Sequence, residues 1–144
     1  MTDKKHRVTD IIFVCLGNAC RSPMAEALAG KLFGRTAHIE SAGTFPCLAR
    51  ATPETIEVMK SGFGVDLAGH RPRSVSDISL DDFDHIIAMD SSVFQELAAD
   101  YPDLKPKIIE WDIEDPYGQS LSRYKECAQQ IEKHVQSLFK RLVH

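Results

Sequence analysis

The chain has 144 residues, of which 43% are hydrophobic and 26% are charged. That length suits one domain with its own core, and that composition is typical of an ordinary globular protein. The formal net charge of −4 at pH 7 gives no indication of a nucleic-acid partner, and no apolar run is long enough for a membrane span. We therefore expect a single domain over residues 8–144, acting as a monomer.

The first seven residues, MTDKKHR, predict a short polar leader without the apolar core of a signal peptide. Four cysteines without a secretory signal agree with a reducing compartment, so a cytoplasmic protein is predicted. Cys47 is expected in a loop and Cys127 in the core. The six histidines lack metal-ligand spacing, and we predict neither a metal nor a cofactor.

Strands alternate with helices in the predicted order of elements. Four apolar segments predict buried strands: Val8–Val14, Ala37–Ala42, Asp84–Met89 and Lys107–Trp111. Four segments with apolar residues at helical spacing predict helices: about Pro23–Phe33, the residues after the Thr52-Pro53 start, the residues after an Asp90 cap, and about Leu121–Leu142. On the second helix, Ile56, Met59 and Phe63 are expected to face inward. This alternation predicts a small doubly wound α/β domain.

Between the first strand and the first helix lies a tight loop, Cys15 to Ser22 with the sequence CLGNACRS, which we call the signature loop. Ser22 and Pro23 predict an N-cap and the first helical residue. Unpaired N–H groups and the helix dipole stabilise an anion at such a helix start. Gly17 and Asn18 tolerate the left-handed backbone that turns N–H groups inward. The signature loop is therefore predicted to hold a phosphate.

Cys15 stands at the base of this predicted phosphate site. The positive field at the helix start favours the thiolate, which is the nucleophilic form of cysteine. Arg21 offers a planar fork of donors for two phosphate oxygens, and the Ser22 hydroxyl could donate to the Cys15 sulfur. Alternatively, Cys15 is a buried strand residue and Arg21 a surface charge, but the surrounding strand, Gly-Asn pair and Ser-Pro start favour the chemical interpretation.

Other loop motifs fit less well. A nucleotide-binding P-loop ends in Gly-Lys-Ser/Thr, and a redox pair has the spacing Cys-x-x-Cys. Here four residues separate Cys15 from Cys20.

The segment VCLGNACRSPMAEA resembles the signature of the low-molecular-weight protein tyrosine phosphatase family, which also carries Asp-Pro-aromatic near the C-terminus, here Asp115-Pro116-Tyr117. The resemblance implies a three-layer α/β/α fold with a four-stranded parallel sheet in the order 2-1-3-4. It implies hydrolysis of phosphotyrosine through a phosphocysteine intermediate on Cys15, assisted by Arg21. The phosphate and substrate contacts that it implies come from the following residues: Leu16, Gly17, Asn18, Ala19, Cys20, Ser22 and Tyr117.

A carboxylic acid should protonate the leaving oxygen and later activate water. The loop after the fourth predicted strand offers Asp112, Glu114 and Asp115, and spacing alone does not choose among them. Pro116 fixes the backbone after Asp115, and the resemblance points to the same residue. The alternative is a solvated acidic turn, which is the interpretation we give Asp112 and Glu114.

Two further positions follow from the resemblance alone. Ser41 and His70 match the pair that hydrogen-bonds to the loop asparagine, here Asn18, and Asp90 is a further candidate for this network. The resemblance also implies a reversible disulfide between Cys15 and Cys20, which would protect the nucleophile from further oxidation.

A nucleophile at the bottom of a deep cradle favours a long, flat substrate side chain, so phosphotyrosine is predicted, with Leu16 and Tyr117 as walls. Some bacterial relatives act on phosphoarginine, but they carry threonine where this chain has Ala19. Residues 45–51 depart from much of the family, so the sequence leaves open whether Phe45 forms a wall of the entrance. Arsenate reduction needs two further cysteines after the third strand, and residues 84–107 contain none. A non-catalytic phosphoprotein-binding module remains the alternative from another class.

Overall fold

A parallel four-stranded sheet forms the centre of the computed structural model, which describes residues 8–143. The strands are β1 (Thr9–Cys15), β2 (Ala37–Gly43), β3 (His85–Ala88) and β4 (Ile108–Glu110). Their order is β2-β1-β3-β4, and all three pairings are parallel. The predicted fold class and strand order are confirmed. The predicted leader, residues 1–7, lies outside the described residues, and the single domain over 8–144 stays a prediction.

Four helices cover the two faces of the sheet: α1 (Arg21–Phe33), α2 (Pro53–Phe63), α3 (Ser91–Asp100) and α4 (Leu121–Leu142). The predicted start of α2 is present, with the Thr52 hydroxyl accepting the Thr55 N–H at 3.3 Å. The prediction that Ser22 caps α1 is wrong, because the helix begins at Arg21 and the cap position is Cys20. Ser22 lies inside the first turn, where its hydroxyl contacts the Cys15 sulfur instead.

Alternate residues of β1 lie on opposite faces of the sheet and belong to two different hydrophobic clusters. Ile11 and Phe13 pack with α1 and α4 on one face, while Ile12 and Val14 pack with α3 on the other. The buried face of α4 includes Cys127, as predicted, and burial raises the pKa of its thiol to about 12. β1 is therefore buried on both faces, as expected for a central parallel strand.

The expected inward face of α2 needs one correction. Met59 is buried and Phe63 packs against the first cluster, but half-buried Ile56 packs against neither cluster in the described part of the chain. The buried side of α2 is centred on Thr55, Val58 and Met59. Ile56 is turned away from that side because successive helical residues differ by about 100° in direction.

The end of β2 lies directly against the signature loop. Gly43 pairs with Cys15, and the next two N–H groups donate to the loop: Thr44 to the Cys15 carbonyl at 3.0 Å and Phe45 to the Leu16 carbonyl at 2.8 Å. A Cβ on Gly43 would lie 2.7 Å from the Leu16 carbonyl oxygen and 3.0 Å from the Asn18 nitrogen. Only glycine allows this approach.

Asp90 connects the start of α3 with the start of α1. One carboxylate oxygen accepts the Val93 N–H at 2.8 Å, and the other accepts from Arg21 Nη1 at 2.7 Å. Burial alone would raise the pKa of Asp90, but the hydrogen bonds from Arg21 and from the Val93 N–H hold that pKa below its usual value. The folded state therefore favours the ionised carboxylate.

We expect the substitution Gly43→Ala to lower the free energy of unfolding by about 1–3 kcal/mol, because the new methyl group overlaps backbone atoms of the signature loop. Gly30→Ala is the matched control. Gly30 lies within α1 with open space around its Cβ position, so this change should raise stability by about 0.5–1 kcal/mol. Urea unfolding measures both values, and equal effects of the two substitutions would contradict the close approach.

Asp90→Asn should lower the free energy of unfolding at pH 7 by about 2 kcal/mol through loss of the charged hydrogen bond to Arg21. Asparagine is also a good N-cap, so the cap of α3 is retained. Because folding lowers the pKa of Asp90, its contribution is present above about pH 4 and is lost as the pH falls through the lowered value. Urea titrations at several pH values test this. A difference that stays constant down to the lowest pH at which the protein folds would show that the charge is not involved.

Candidate active site

The signature loop turns sharply at Asn18. Its φ of +53° makes Asn18 the one non-glycine residue with a positive φ between residues 8 and 143, and asparagine adopts this conformation more readily than most residues. Gly17 does not need a left-handed backbone here. The turn directs the Asn18 N–H toward the Cys15 sulfur at 3.2 Å, which is the inward orientation that an anion site requires.

The Asn18 side chain is fully buried and holds three segments together. Its amide nitrogen donates to the Ser22 hydroxyl at 2.8 Å and to the Ser41 hydroxyl at 3.0 Å, and its amide oxygen accepts the Arg73 N–H at 3.0 Å. His70 Nε2 lies 2.8 Å from the Asn18 carbonyl oxygen, which can only accept, so Nε2 carries the proton. Ser41 and His70 thus contact the residue at which sequence analysis expected them.

Two other residues of this network were not found from the sequence. Arg73 donates through Nε to the Ser41 carbonyl at 3.1 Å and pairs with Glu40. Ser41 donates its hydroxyl proton to a Glu26 oxygen at 2.6 Å. No local pattern distinguishes Glu26 or Arg73 from ordinary surface charges, because only the folded chain brings them to Ser41.

Cys15 is buried at the end of β1 and faces two donors. The Ser22 hydroxyl oxygen lies 3.0 Å from the sulfur. That oxygen accepts from the Asn18 amide, and its own proton can go to the Cys15 sulfur at 3.0 Å or to the more distant Ala42 carbonyl at 3.5 Å, so the shorter contact favours Cys15. Together with the Asn18 N–H, this gives the sulfur two hydrogen bonds of the kind that stabilise a thiolate.

The Arg21 guanidinium is only 2% exposed and already oriented. Nη1 donates to Asp90 at 2.7 Å and to the Ile113 carbonyl at 2.8 Å, while Nη2 lies 3.8 Å from an Asp115 oxygen. Burial lowers the pKa of Arg21, but Cys15 and the hydrogen bond to Asp90 outweigh burial and raise it above its usual value. Nε is buried and has no hydrogen-bond acceptor within residues 8–143. The fork therefore presents Nε and Nη2 to an anionic ligand.

Asp115 is the carboxylate that reaches this site. Its side chain is 41% exposed and lines the cavity above Cys15. One oxygen accepts the Tyr117 N–H at 3.1 Å, and Gln119 donates to the Asp115 carbonyl at 2.9 Å. Asp112 and Glu114 are exposed, and neither lines the cavity. The geometry thus favours Asp115, as expected.

The cavity has a volume of about 260 Å³, with Cys15 and Arg21 among its lining residues. Leu16 and Tyr117 line it, as predicted. Apolar side chains also come from the segment after β2: Phe45, which is 66% exposed, and Leu48, which is 40% exposed. Phe45 therefore lies in the wall of the cavity.

Cys20 also borders the cavity, but its sulfur contacts buried hydroxyl groups. Sγ lies 3.5 Å from the Tyr124 hydroxyl and 3.6 Å from the Thr52 hydroxyl. Burial raises the pKa of Cys20 and outweighs those hydrogen bonds. Cys15 and Cys20 are both free thiols here, and their disulfide stays a prediction.

Residues 8–143 contain no cluster of three histidine, cysteine, aspartate or glutamate side chains that could hold a metal ion. Over the same residues, no helix has the length and apolar character needed to cross a membrane.

Known proteins are similar to this chain both in sequence and in fold. The chain is 31% identical to a protein-arginine-phosphatase of Bacillus subtilis, with 92% of this chain and 96% of that protein covered. It is 29% identical to EpsP, a probable low molecular weight protein-tyrosine-phosphatase of Ralstonia nicotianae, with 94% and 97% covered. The crystal structure of a low molecular weight protein tyrosine phosphatase from T. tengcongensis superposes with a TM-score of 0.85, at 35% identity, covering 93% of this chain and 99% of that one. The family described as low molecular weight phosphotyrosine protein phosphatase matches residues 10–144, and the chain belongs to that family.

Proposed function

We propose that this protein hydrolyses phosphotyrosine in protein substrates through a phosphocysteine on Cys15. The observation that carries the proposal is the buried Arg21 Nε, which has no acceptor among the described residues, beside a hydrogen-bonded cysteine at a cavity with apolar walls. A buried donor without a partner is costly, and a phosphate oxygen would supply the missing acceptor. A phosphoryl group bound there meets a nucleophile, a cation and an acid together.

In the first step, the Cys15 thiolate attacks phosphorus and the bond to the tyrosine oxygen breaks. Arg21 Nε and Nη2 hold two non-bridging oxygens, and the N–H groups at the start of α1 face the same charge. Asp115 gives its proton to the departing phenolate oxygen. This step needs a protonated Asp115, and it leaves a phosphocysteine with a free tyrosine hydroxyl.

In the second step, water attacks the phosphocysteine and releases inorganic phosphate. The Asp115 carboxylate takes a proton from that water, which restores the acid for the next cycle. Cys15 departs as a thiolate, and the hydrogen bonds from Ser22 and the Asn18 N–H stabilise it. In this scheme Ser41 and His70 are positioning residues that act through Asn18.

The cavity walls favour a phenyl ring over a guanidinium group. Leu16, Phe45, Leu48 and Tyr117 offer apolar surface for a ring. The guanidinium of phosphoarginine keeps four N–H donors that need acceptors, but the Ala19 side chain supplies no polar atom, and Asp115 is the one carboxylate in the described lining. The relative named a protein-arginine-phosphatase makes phosphoarginine the second candidate substrate.

The proposal extends to the protein's state and compartment. Cys15, Arg21 and Asp115 line one cavity, so the proposed reaction needs no residue from a second copy, and we propose that the protein acts as a monomer. The free cysteines of the signature loop need a reducing environment to stay active, which supports a cytoplasmic location.

The wild-type protein should release phosphate from a phosphotyrosine peptide at least about tenfold faster than from a phosphoarginine peptide of the same flanking sequence, because the apolar walls contact a phenyl ring and leave most guanidinium N–H groups without an acceptor. Phosphate release is measured for both, and Cys15→Ser should abolish release from both. Faster release from phosphoarginine would contradict the substrate. Tight binding of both peptides without any phosphate release would favour a binding module instead.

Asp115→Asn should lower kcat/KM on a phosphotyrosine peptide by about 10²–10⁴-fold, because kcat/KM reports formation of the phosphocysteine and the leaving phenolate then departs unprotonated. The loss should be much smaller for p-nitrophenyl phosphate, whose leaving group needs little help from an acid. The matched control is Glu114→Gln, which changes a neighbouring acid outside the cavity and should leave both rates nearly unchanged. An equal loss on both substrates after Asp115→Asn would exclude a role as general acid.

A further inference from the structure

A second groove adjoins the catalytic cavity. It has a volume of about 600 Å³ and lies between residues 48–53 and the first turns of α2, where Ile56 and Glu57 form its far side. Leu48 lines both the cavity and the groove. The two concave surfaces therefore meet at Leu48.

The segment that contains Leu48 is held at both ends by the signature loop. The Phe45 N–H donates to the Leu16 carbonyl at 2.8 Å, and the Thr52 N–H donates to the Ala19 carbonyl at 3.0 Å. Because both anchors are backbone hydrogen bonds to the loop that binds phosphate, the groove is in a fixed position relative to the phosphate site. A ligand would find the groove already formed.

The interior of the groove is apolar. Leu48 is 40% exposed, and Ile56 is half-buried without packing against either cluster of the described core. Each side chain therefore has apolar surface that a partner could cover, and removal of that surface from water favours binding. Arg50 and Glu57 also line the groove and carry opposite charges, so the groove does not favour a ligand of either sign.

We propose that this groove is a substrate subsite that binds an aliphatic side chain lying within about two residues of the phosphorylated residue. The inference rests on the proposed phosphatase function and adds sequence preference to it. When a phosphorylated side chain fills the cavity, the backbone of its protein must run over the rim. Alternate side chains of an extended segment are about 7 Å apart on one face, so a neighbouring side chain can cross Leu48 and contact Ile56.

Matched peptides test this preference. Three phosphotyrosine peptides differ only in the two residues on each side of the tyrosine: leucines before it, leucines after it, or serines on both sides. The kcat/KM of each peptide is divided by the value for phenyl phosphate, which is too small to reach the groove. For the wild-type protein, we expect one leucine peptide to exceed the serine peptide by about tenfold.

The substitutions Ile56→Ser and Ile56→Trp should each reduce the ratio of the leucine-peptide value to the serine-peptide value to within about twofold of one. The first removes the apolar contact, and the second fills the groove. The matched control is Leu32→Ser, which removes another partly exposed aliphatic side chain near the far end of α1 and should keep the tenfold ratio. Because each ratio is taken within one variant, a general loss of activity does not imitate the effect.

Two results would overturn the proposal of this subsite. Wild-type protein could hydrolyse the three peptides equally well, or the leucine preference could survive both Ile56 substitutions. Either result leaves the phosphatase function intact. Failure of the wild-type protein to hydrolyse phenyl phosphate and all three peptides would overturn the proposed function, and the subsite with it.

Discussion

The buried side chain of Asn18 is the constraint on which the site depends. A left-handed backbone at a residue with a Cβ costs about 1–2 kcal/mol, and the hydrogen bonds to Ser22, Ser41 and the Arg73 N–H offset that cost. The same turn directs the Asn18 N–H at the Cys15 sulfur. The position of the nucleophile's donors is therefore determined by contacts to β2 and to the segment after α2, which are distant in the sequence.

A second constraint is the buried guanidinium of Arg21. A cation is tolerated there because Asp90 and the Ile113 carbonyl take both protons of Nη1. This use of one nitrogen leaves the other two oriented before any ligand arrives, so little reorganisation is needed during phosphoryl transfer. Asp90 also caps α3, and one carboxylate thus connects the stability of the fold with the geometry of the site.

The sequence predicts the parts of this protein that depend on neighbouring residues. Strand, tight loop and helix are visible between residues 9 and 33, and Asp115 was preferred over its acidic neighbours through Pro116 and the family resemblance. Prediction failed where a side chain had a better partner elsewhere. Ser22 bonds to Cys15 instead of capping α1, and Ile56 lies at a groove instead of in the core. The sequence does not predict the contacts of Glu26 and Arg73 with Ser41. These contacts depend on the register of β2 beside β1, which no local pattern encodes.

In the segment after β2, backbone hydrogen bonds fix the position of the chain, while the side chains form surfaces that a substrate can contact. The ends of this segment are fixed by backbone hydrogen bonds to Leu16 and Ala19, and such bonds do not depend on side-chain identity. The side chains between these anchors, among them Phe45 and Leu48, point to a cavity wall and a groove without contributing to the Asn18 network. They can therefore change without moving Cys15 or Arg21. This arrangement allows the side chains of residues 45–51 to vary while the geometry of the signature loop stays unchanged.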